Sequence, residues 1–360
     1  MRILSLNAGS STLKYGLFED DLTELKRGTI ENAGRHVGGL AEQLDGVFGL
    51  VGEVGAIGVR VVHGGGKFLE ATRVSPEVIA QVRELTELAP LHNGPDADLL
   101  EALHKRAPSL PVVAVFDTAF HRTLPPVATT YALPRELAER LGIRRYGFHG
   151  ISYRYVVDRL QERLGRQLGK LVICHLGSGA SVCAIRDGVS VETSMGFTPL
   201  EGLVMGTRSG DIDPAIVEYL VRKGPMTAAE VEALLNHDSG LKGVSGTSSD
   251  VRTLEQLAAT GDKQAEFALD LFSYRIAKYV GSYSVVLGGL DGLVFCGGIG
   301  EHSSEMRSRI CARLTVLGAP TPCDPDGDIS CISGDSPTQV WVVQTDEELQ
   351  IARETKELLG

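Results

Sequence analysis

The chain reads as an α/β protein of two domains, and three observations lead there. Short continuous apolar runs alternate with amphipathic helical stretches, the pattern of strands buried on both faces and covered by helices. The 360 residues exceed one typical domain of roughly 150 residues. Two hairpin-like units of one design, each strand, Gly/Ser turn, strand, stand far apart in the chain. Such internal similarity points to a duplicated fold.

The first unit runs from Ile3 to Leu6, breaks at Asn7-Ala8-Gly9-Ser10-Ser11 and resumes from Leu13 to Phe18. The second runs from Leu171 to Leu176, turns at Gly177-Ser178-Gly179-Ala180-Ser181 and continues from Val182 to Ile185, with a further strand from Val189 to Glu192. Ala56 to Val62, Val112 to Phe116, Gly292 to Cys296 and Val340 to Val343 are the remaining strand candidates. Helical periodicity covers Pro76 to Leu88, Asp96 to Lys105, Tyr153 to Leu164, Pro214 to Arg222 and Ala228 to Leu235. It recurs in Ala265 to Leu287, Ser303 to Leu314 and Glu347 to Leu358. The 43 glycines cluster between apolar runs, as in loops and not linkers.

Composition narrows the function. A formal net charge of -11 argues against a nucleic-acid footprint, which needs a basic face. A phosphate site is still allowed, since it needs only local N–H groups and a few cations. None of the six cysteines forms a C-x-x-C pair, and Cys174, Cys183 and Cys296 lie in apolar runs. Buried thiols are expected, and neither a disulfide framework nor a zinc site. The N-terminus lacks a signal-peptide core, and no apolar run reaches the roughly 18 residues of a membrane span. The chain is therefore expected to be soluble and cytoplasmic.

The P-loop, Rossmann and nucleophile-elbow patterns are absent. Three Gly-rich turns remain as anion cradles: Asn7 to Ser11, Gly177 to Ser181, and Cys296-Gly297-Gly298-Ile299-Gly300-Glu301. The third follows a strand and precedes a helix, where a phosphate is favoured. Arg60 ends a buried strand before His63-Gly64-Gly65-Gly66, and Asp117 ends another. Ligands of open α/β sheets bind outside such strand ends. Arg60 is either a paired core charge or an anion ligand, and Asp117 either a helix cap or part of a site. His149, in Tyr146-Gly147-Phe148-His149-Gly150, and Arg208, in Gly206-Thr207-Arg208-Ser209-Gly210, are ambiguous in the same way.

Taken together, LNAGSSTLKYGLF, RVVHGGGKF, APLHN, VFDTAFH, RRYGFHGIS, HLGSGAS, MGFTPLEGLVMGTRSGDIDP, GGIGE and TDEELQIARET resemble the acetate kinases. They stand in that family's order from residue 6 to residue 355. The resemblance implies a duplicated actin-like ATPase (ribonuclease H-like) fold of two domains with an interdomain active-site cleft. The N-terminal domain would span 1–121 plus 349–360, and a nucleotide-binding and dimerisation domain 122–348. It implies reversible transfer of a phosphoryl group from ATP to acetate, directly and in line. Propionate or butyrate is the alternative acceptor, and a non-catalytic nucleotide-binding protein the more distant one.

By the same resemblance Asp117, His149, Arg208 and Arg60 are catalytic. Arg60, Val62, Leu91, His92, Phe148 and Pro199 bind the acid. Lys14, Ser10, Ser11, His175, Leu176, Gly177, Ser178, Gly179, Asp250, Val251, Arg252, Gly298, Ile299, Gly300, Glu301 and His302 bind ATP or ADP. Asn7 and Glu347 hold Mg²⁺, or Mn²⁺ in its place. A homodimer is implied, with no nucleic-acid or membrane partner. The chain departs from the family pattern at Ser178, His302 and Asp346, each where the family has Asn.

Overall fold

The computed structural model describes residues 1–9, 12–31, 39–89, 92–319, 324–334 and 336–360. The chain divides into two compact units. The first comprises Met1–Arg122, Phe148–Tyr155 and Asp346–Gly360, and the second Thr123–Gly147 and Val156–Thr345.

In the first unit the described strands are β1 (Ile3–Ala8), β2 (Thr12–Phe18), β3 (Glu24–Glu31), β4 (Ala56–Val61), β5 (Thr72–Arg73) and β6 (Val112–Phe116), ordered β3-β2-β1-β4-β6-β5. β1, β2 and β3 pair antiparallel, β4 and β6 continue parallel to β1, and β5 is an antiparallel edge. The second unit has β7 (Lys170–Leu176), β8 (Ala180–Arg186), β9 (Val189–Thr193), β10 (Gly292–Cys296), β11 (Ile329–Cys331) and β12 (Gln339–Val343), ordered β11-β12-β10-β7-β8-β9. An antiparallel meander of β7, β8 and β9 is again followed by parallel β10 and β12 and an antiparallel edge. The two sheets match strand for strand, so the duplication read from two hairpins extends to the whole topology.

The central strands are buried because their residues are apolar on both faces. On one face of the first sheet Leu4, Leu6, Val59, Leu100 and Phe116 form the core. On the other, the helix Glu347–Leu359 places Ile351 and Ala352 against Ile3, Ala56, Val113 and Val115. Gly58 permits that approach: a Cβ there would lie 2.2 Å from Thr355 Oγ1. In the second unit the helix Lys263–Leu287 is capped by Asp262, which accepts the Gln264 and Ala265 amides. Its buried face includes Leu269, Phe272, Ile276 and Val280.

Cys174, Cys183, Cys296 and Cys311 are buried thiols and Cys331 is an exposed one, while Cys323 lies outside the described residues. Burial pushes the Cys183 thiol up to about 12. Among the described residues no helix is long and apolar enough to cross a membrane.

Candidate active site

In the first unit the parallel register sets three strand ends side by side. Leu6 of β1 pairs with Val59 of β4, and Val61 of β4 with Phe116 of β6. Asn7, Arg60 and Asp117 therefore emerge together at the C-terminal edge of the sheet, where open α/β sheets hold ligands. Arg60 Nη2 donates to Asp117 Oδ2 at 2.6 Å and its Nε donates to the same oxygen at 3.1 Å. Its Nη1 reaches Asn7 Oδ1 at 3.3 Å and the Ala8 carbonyl at 3.4 Å. The Asp117 side chain is 2% exposed and that of Arg60 18%. Burial raises the Asp117 carboxyl against the pull of the Arg60 guanidinium, and Glu347 adds to the rise. Of the two open roles of Arg60, the structure shows the paired charge, held at a strand end.

The Asn7 amide Nδ2 donates to Glu347 at 2.9 Å and to Glu348 at 3.1 Å. Glu348 also accepts from Arg27 Nη1 at 3.1 Å. Glu348 is buried, and its carboxyl is raised by that burial and by its neighbour Glu347. Asp346 caps the helix by accepting the Leu349 amide at 2.8 Å, which turns the two glutamates toward Asn7. Lys14 stands opposite Asn7 in the β1–β2 register and is exposed.

His149 has φ +58, a left-handed conformation rare for a side-chain-bearing residue. The next residue explains it. The Gly150 amide donates to the Asp117 carbonyl at 2.9 Å, and a Cβ on Gly150 would lie 2.1 Å from that oxygen. His149 is thereby seated beside Asp117. Phe148 and Val62 are buried, and the His63 and Phe148 rings meet edge-on at 5.4 Å. His121 Nε2 bonds the Phe148 carbonyl at 2.9 Å. His92 precedes the helix Asn93–Arg106, its carbonyl accepting the Asp96 amide at 3.0 Å. Ser10, Ser11 and Leu91 lie outside the described residues.

In the second unit a cavity of about 330 Å³ is lined by Gly177, Ser178, Ser249, Asp250, Val251, Arg252, Glu255, Gly298, Ile299, His302 and Ser303. The turn after β7, the helix Val251–Ala259 and the helix Gly297–His302 meet there. Eight residues expected to bind nucleotide are brought together in it. His175, Leu176, Gly179, Gly300 and Glu301 do not line it. Asp250 caps its helix, accepting the Thr253 amide at 2.8 Å. Glu301 instead accepts the Thr345 amide at 3.0 Å and hydroxyl at 2.9 Å. Ser249, Glu255 and Ser303 were missed in the sequence. The helix period from Val251 would have found Glu255, and Ser303 caps the next helix.

Pro199 and Arg208 share one loop of this unit, with Arg208 Nη1 donating to the Pro199 carbonyl at 3.3 Å. Two carboxylates that sequence reasoning passed over fix the loop. Glu201 accepts from Arg145 Nη2 at 2.6 Å and from the Tyr131 hydroxyl. Arg145 Nη1 also donates to the carbonyls of Thr193, Ser194 and Met195. Asp211 accepts the Gly202 amide at 2.8 Å and the Tyr279 hydroxyl at 2.5 Å.

Among the described residues no group of three or more His, Cys, Asp or Glu could hold a metal alone. Asn7 and Glu347 offer hard oxygen donors, a partial set that suits a small divalent cation sharing its shell with phosphate and water.

The family model described as the acetokinase family matches residues 40–353. A protein of Halothermothrix orenii named acetate kinase is 44% identical over an alignment 396 positions long, covering all of both chains. The crystal structure of Porphyromonas gingivalis acetate kinase superposes with a TM-score of 0.91 at 37% identity, covering all of both chains. A propionate kinase from Francisella tularensis superposes with a TM-score of 0.92 at 37% identity, over 99% of each. With likeness of this extent and a fold duplicated strand for strand, the chain belongs to the acetokinase family.

Proposed function

We propose that the chain is an acetate kinase, transferring the γ-phosphoryl group of ATP to acetate to give acetyl phosphate and ADP, reversibly. The observation that carries this reading is Arg60, a guanidinium held by Asp117 and Asn7 at the edge of three parallel strands. A half-buried, oriented guanidinium suits bidentate grip on a carboxylate or phosphate.

The chemistry needs little beyond that. The acid is already ionised at neutral pH, with a reference pKa of about 4, so no base must remove a proton. The carboxylate oxygen forms the new bond to phosphorus as the bond to the ADP oxygen breaks. Catalysis then consists of positioning and of offsetting negative charge. In the first unit Arg60 grips the carboxylate and Lys14 adds a second cation; in the second unit Arg208 is assigned to ligand oxygens by the family resemblance. His149 donates a hydrogen bond to the transferring group. Asp117 fixes the Arg60 fork. Val62 and Phe148 wall the methyl group, with His92 beside them, and the cavity around Gly177, Asp250 and Gly298 takes the nucleotide.

Asn7 and Glu347 would hold Mg²⁺, which when bound neutralises phosphate oxygens. A cytoplasmic homodimer completes the reading. The exposed Ile216, Tyr219 and Val221 of one helix, and Phe267, Tyr274 and Val285 of another, support an apolar face on the second unit.

Propionate is the second reading, favoured by the likeness to a propionate kinase structure. One extra methylene shifts selectivity by only ~1–3 kcal/mol. Trapping the acyl phosphate as its hydroxamate, with acetate, propionate and butyrate in parallel, tests both. Acetate is expected to give the highest kcat/KM. No hydroxamate from any acid would refute a carboxylate kinase.

A further inference from the structure

Asp96 is a buried carboxyl, 3% exposed, to which the phosphoryl-transfer scheme assigns no part. It lies in the first turn of the helix Asn93–Arg106. Its Oδ2 accepts the Val62 amide at 2.9 Å. One turn earlier, Asn93 Oδ1 accepts the His63 amide at 3.1 Å, and Asn93 Nδ2 donates to the His63 carbonyl at 2.8 Å. Val62 and His63 are both buried and lie just past the end of β4. Buried amides beyond a strand end need partners, and here two side chains of one helix supply them. The segment so held carries the proposed wall residue Val62, and Arg60 lies two residues before it.

The charged groups facing Asp96 come from two other elements. Arg60 on β4 attracts its charge, and Asp117 after β6 repels it. His63, next to Val62 in the chain, accepts the Gly65 amide on its Nδ1 at 2.9 Å. Burial, the largest effect, pushes the Asp96 carboxyl up to about 7.

We propose that Asp96 is a positioning residue of the acid-binding site, fixing the Val62 peptide that walls the methyl pocket and tuning by its own ionisation the hold of Arg60 on the incoming carboxylate. The inference rests on the acetate kinase reading. With Asp96 protonated, its carbonyl oxygen still accepts the Val62 amide and Arg60 faces one fewer anion. With Asp96 ionised, the clamp persists, but a second carboxylate competes with acetate for the field of the guanidinium.

The test compares Asp96→Asn and Asp96→Ala with the parent in acetate and propionate kinetics from about pH 6 to pH 8, bracketing the transition. For the parent, KM for acetate should rise several-fold across this range while kcat moves less. Asp96→Asn keeps an acceptor and cannot ionise, so its KM should stay low and flat. Asp96→Ala should raise KM about tenfold, the order for losing a buried hydrogen bond, and should narrow the preference for acetate over propionate. A parental pH step in Asp96→Asn would overturn the proposal. So would a folded Asp96→Ala with KM and selectivity within about twofold of the parent. Exchange of the Val62 amide, followed by NMR without substrate, separates this inference from the assigned reaction. It should be slow in the parent and Asp96→Asn and fast in Asp96→Ala, and equal rates in all three would sink the clamp whatever acid is phosphorylated.

Discussion

Glu301 ties the helix at the end of β10 to the segment that delivers Glu347. Its side chain is 11% exposed, and one carboxylate oxygen takes both the amide and the hydroxyl of Thr345. Arg307, itself buried, donates to the carbonyls of Gly300 and Glu301, both at 2.9 Å, and so closes the same helix. Replacing Glu301 by Ala removes two hydrogen bonds to a charged acceptor, each about 1.5–3 kcal/mol. The bonds share one oxygen, and deleting the carboxylate also relieves its desolvation, so the net loss should be about 2–3 kcal/mol. Thr345 stands two residues before Glu347, which would then sit less firmly beside Asn7. We therefore expect Glu301→Ala to lower the urea midpoint and to raise the Mg²⁺ concentration for half-maximal turnover about tenfold, as for lost outer-shell support of a metal ligand. Glu301→Gln, which keeps an acceptor, should lose less on both counts. An unchanged urea midpoint and unchanged metal requirement in Glu301→Ala would refute the reasoning.

Three further outcomes are expected. The Asp96 carboxyl is raised on folding from 3.8 to about 7, so the folded state favours its protonated form. The resulting stability is fully present below about pH 4 and is lost as pH rises through about 7. Asp96→Asn escapes that loss, and its stability advantage over the parent, followed by urea unfolding, should grow across this window to a few kcal/mol, with about 4 kcal/mol as the ceiling for a shift of this size. Gly150→Ala would drive a methyl into the Asp117 carbonyl and should abolish hydroxamate formation, with far-UV circular dichroism little changed. Arg208→Ala should cut kcat far more than it lowers the unfolding midpoint, since the charges it serves are on the ligands; the reverse pattern would make Arg208 structural.

The parts of the fold most legible in the sequence were its apolar centres. β1, β4, β6, β7, β10 and β12 all coincide with continuous apolar runs. β3 escaped because Glu24–Glu31 is an exposed polar edge strand, and β5 and β11 because they are two and three residues long. The helices Gly39–Val51 and Val251–Ala259 also escaped, the second being touched only through Asp250, Val251 and Arg252 as nucleotide-binding residues. Helix starts were set by packing: Asn93 and Gly150 begin helices that periodicity placed three residues later. Arg60 and Asp117 stood out as charges at the ends of buried runs. The anchors behind the loop of Arg208 did not, because Tyr131, Arg145, Glu201, Asp211 and Tyr279 are scattered polar residues whose partners are distant in sequence. Nothing local marks Asn7 as a partner of Glu347 and Glu348, and only the family resemblance paired Asn7 with Glu347.

That last pairing fixes an order of events in synthesis. Asn7 and Glu347 are 340 residues apart, and the helix that begins at Glu347 covers one face of the first sheet. At roughly 5–20 residues per second of translation, Asn7 waits on the order of tens of seconds for its carboxylates. Through that interval Ile3 and Ala56 have no helix over them, and Val113 and Val115 have only Ile151 of the helix Gly150–Leu164. The first unit is thus begun early and finished late, and the nascent protein is most exposed to aggregation and to chaperone capture along this one apolar face.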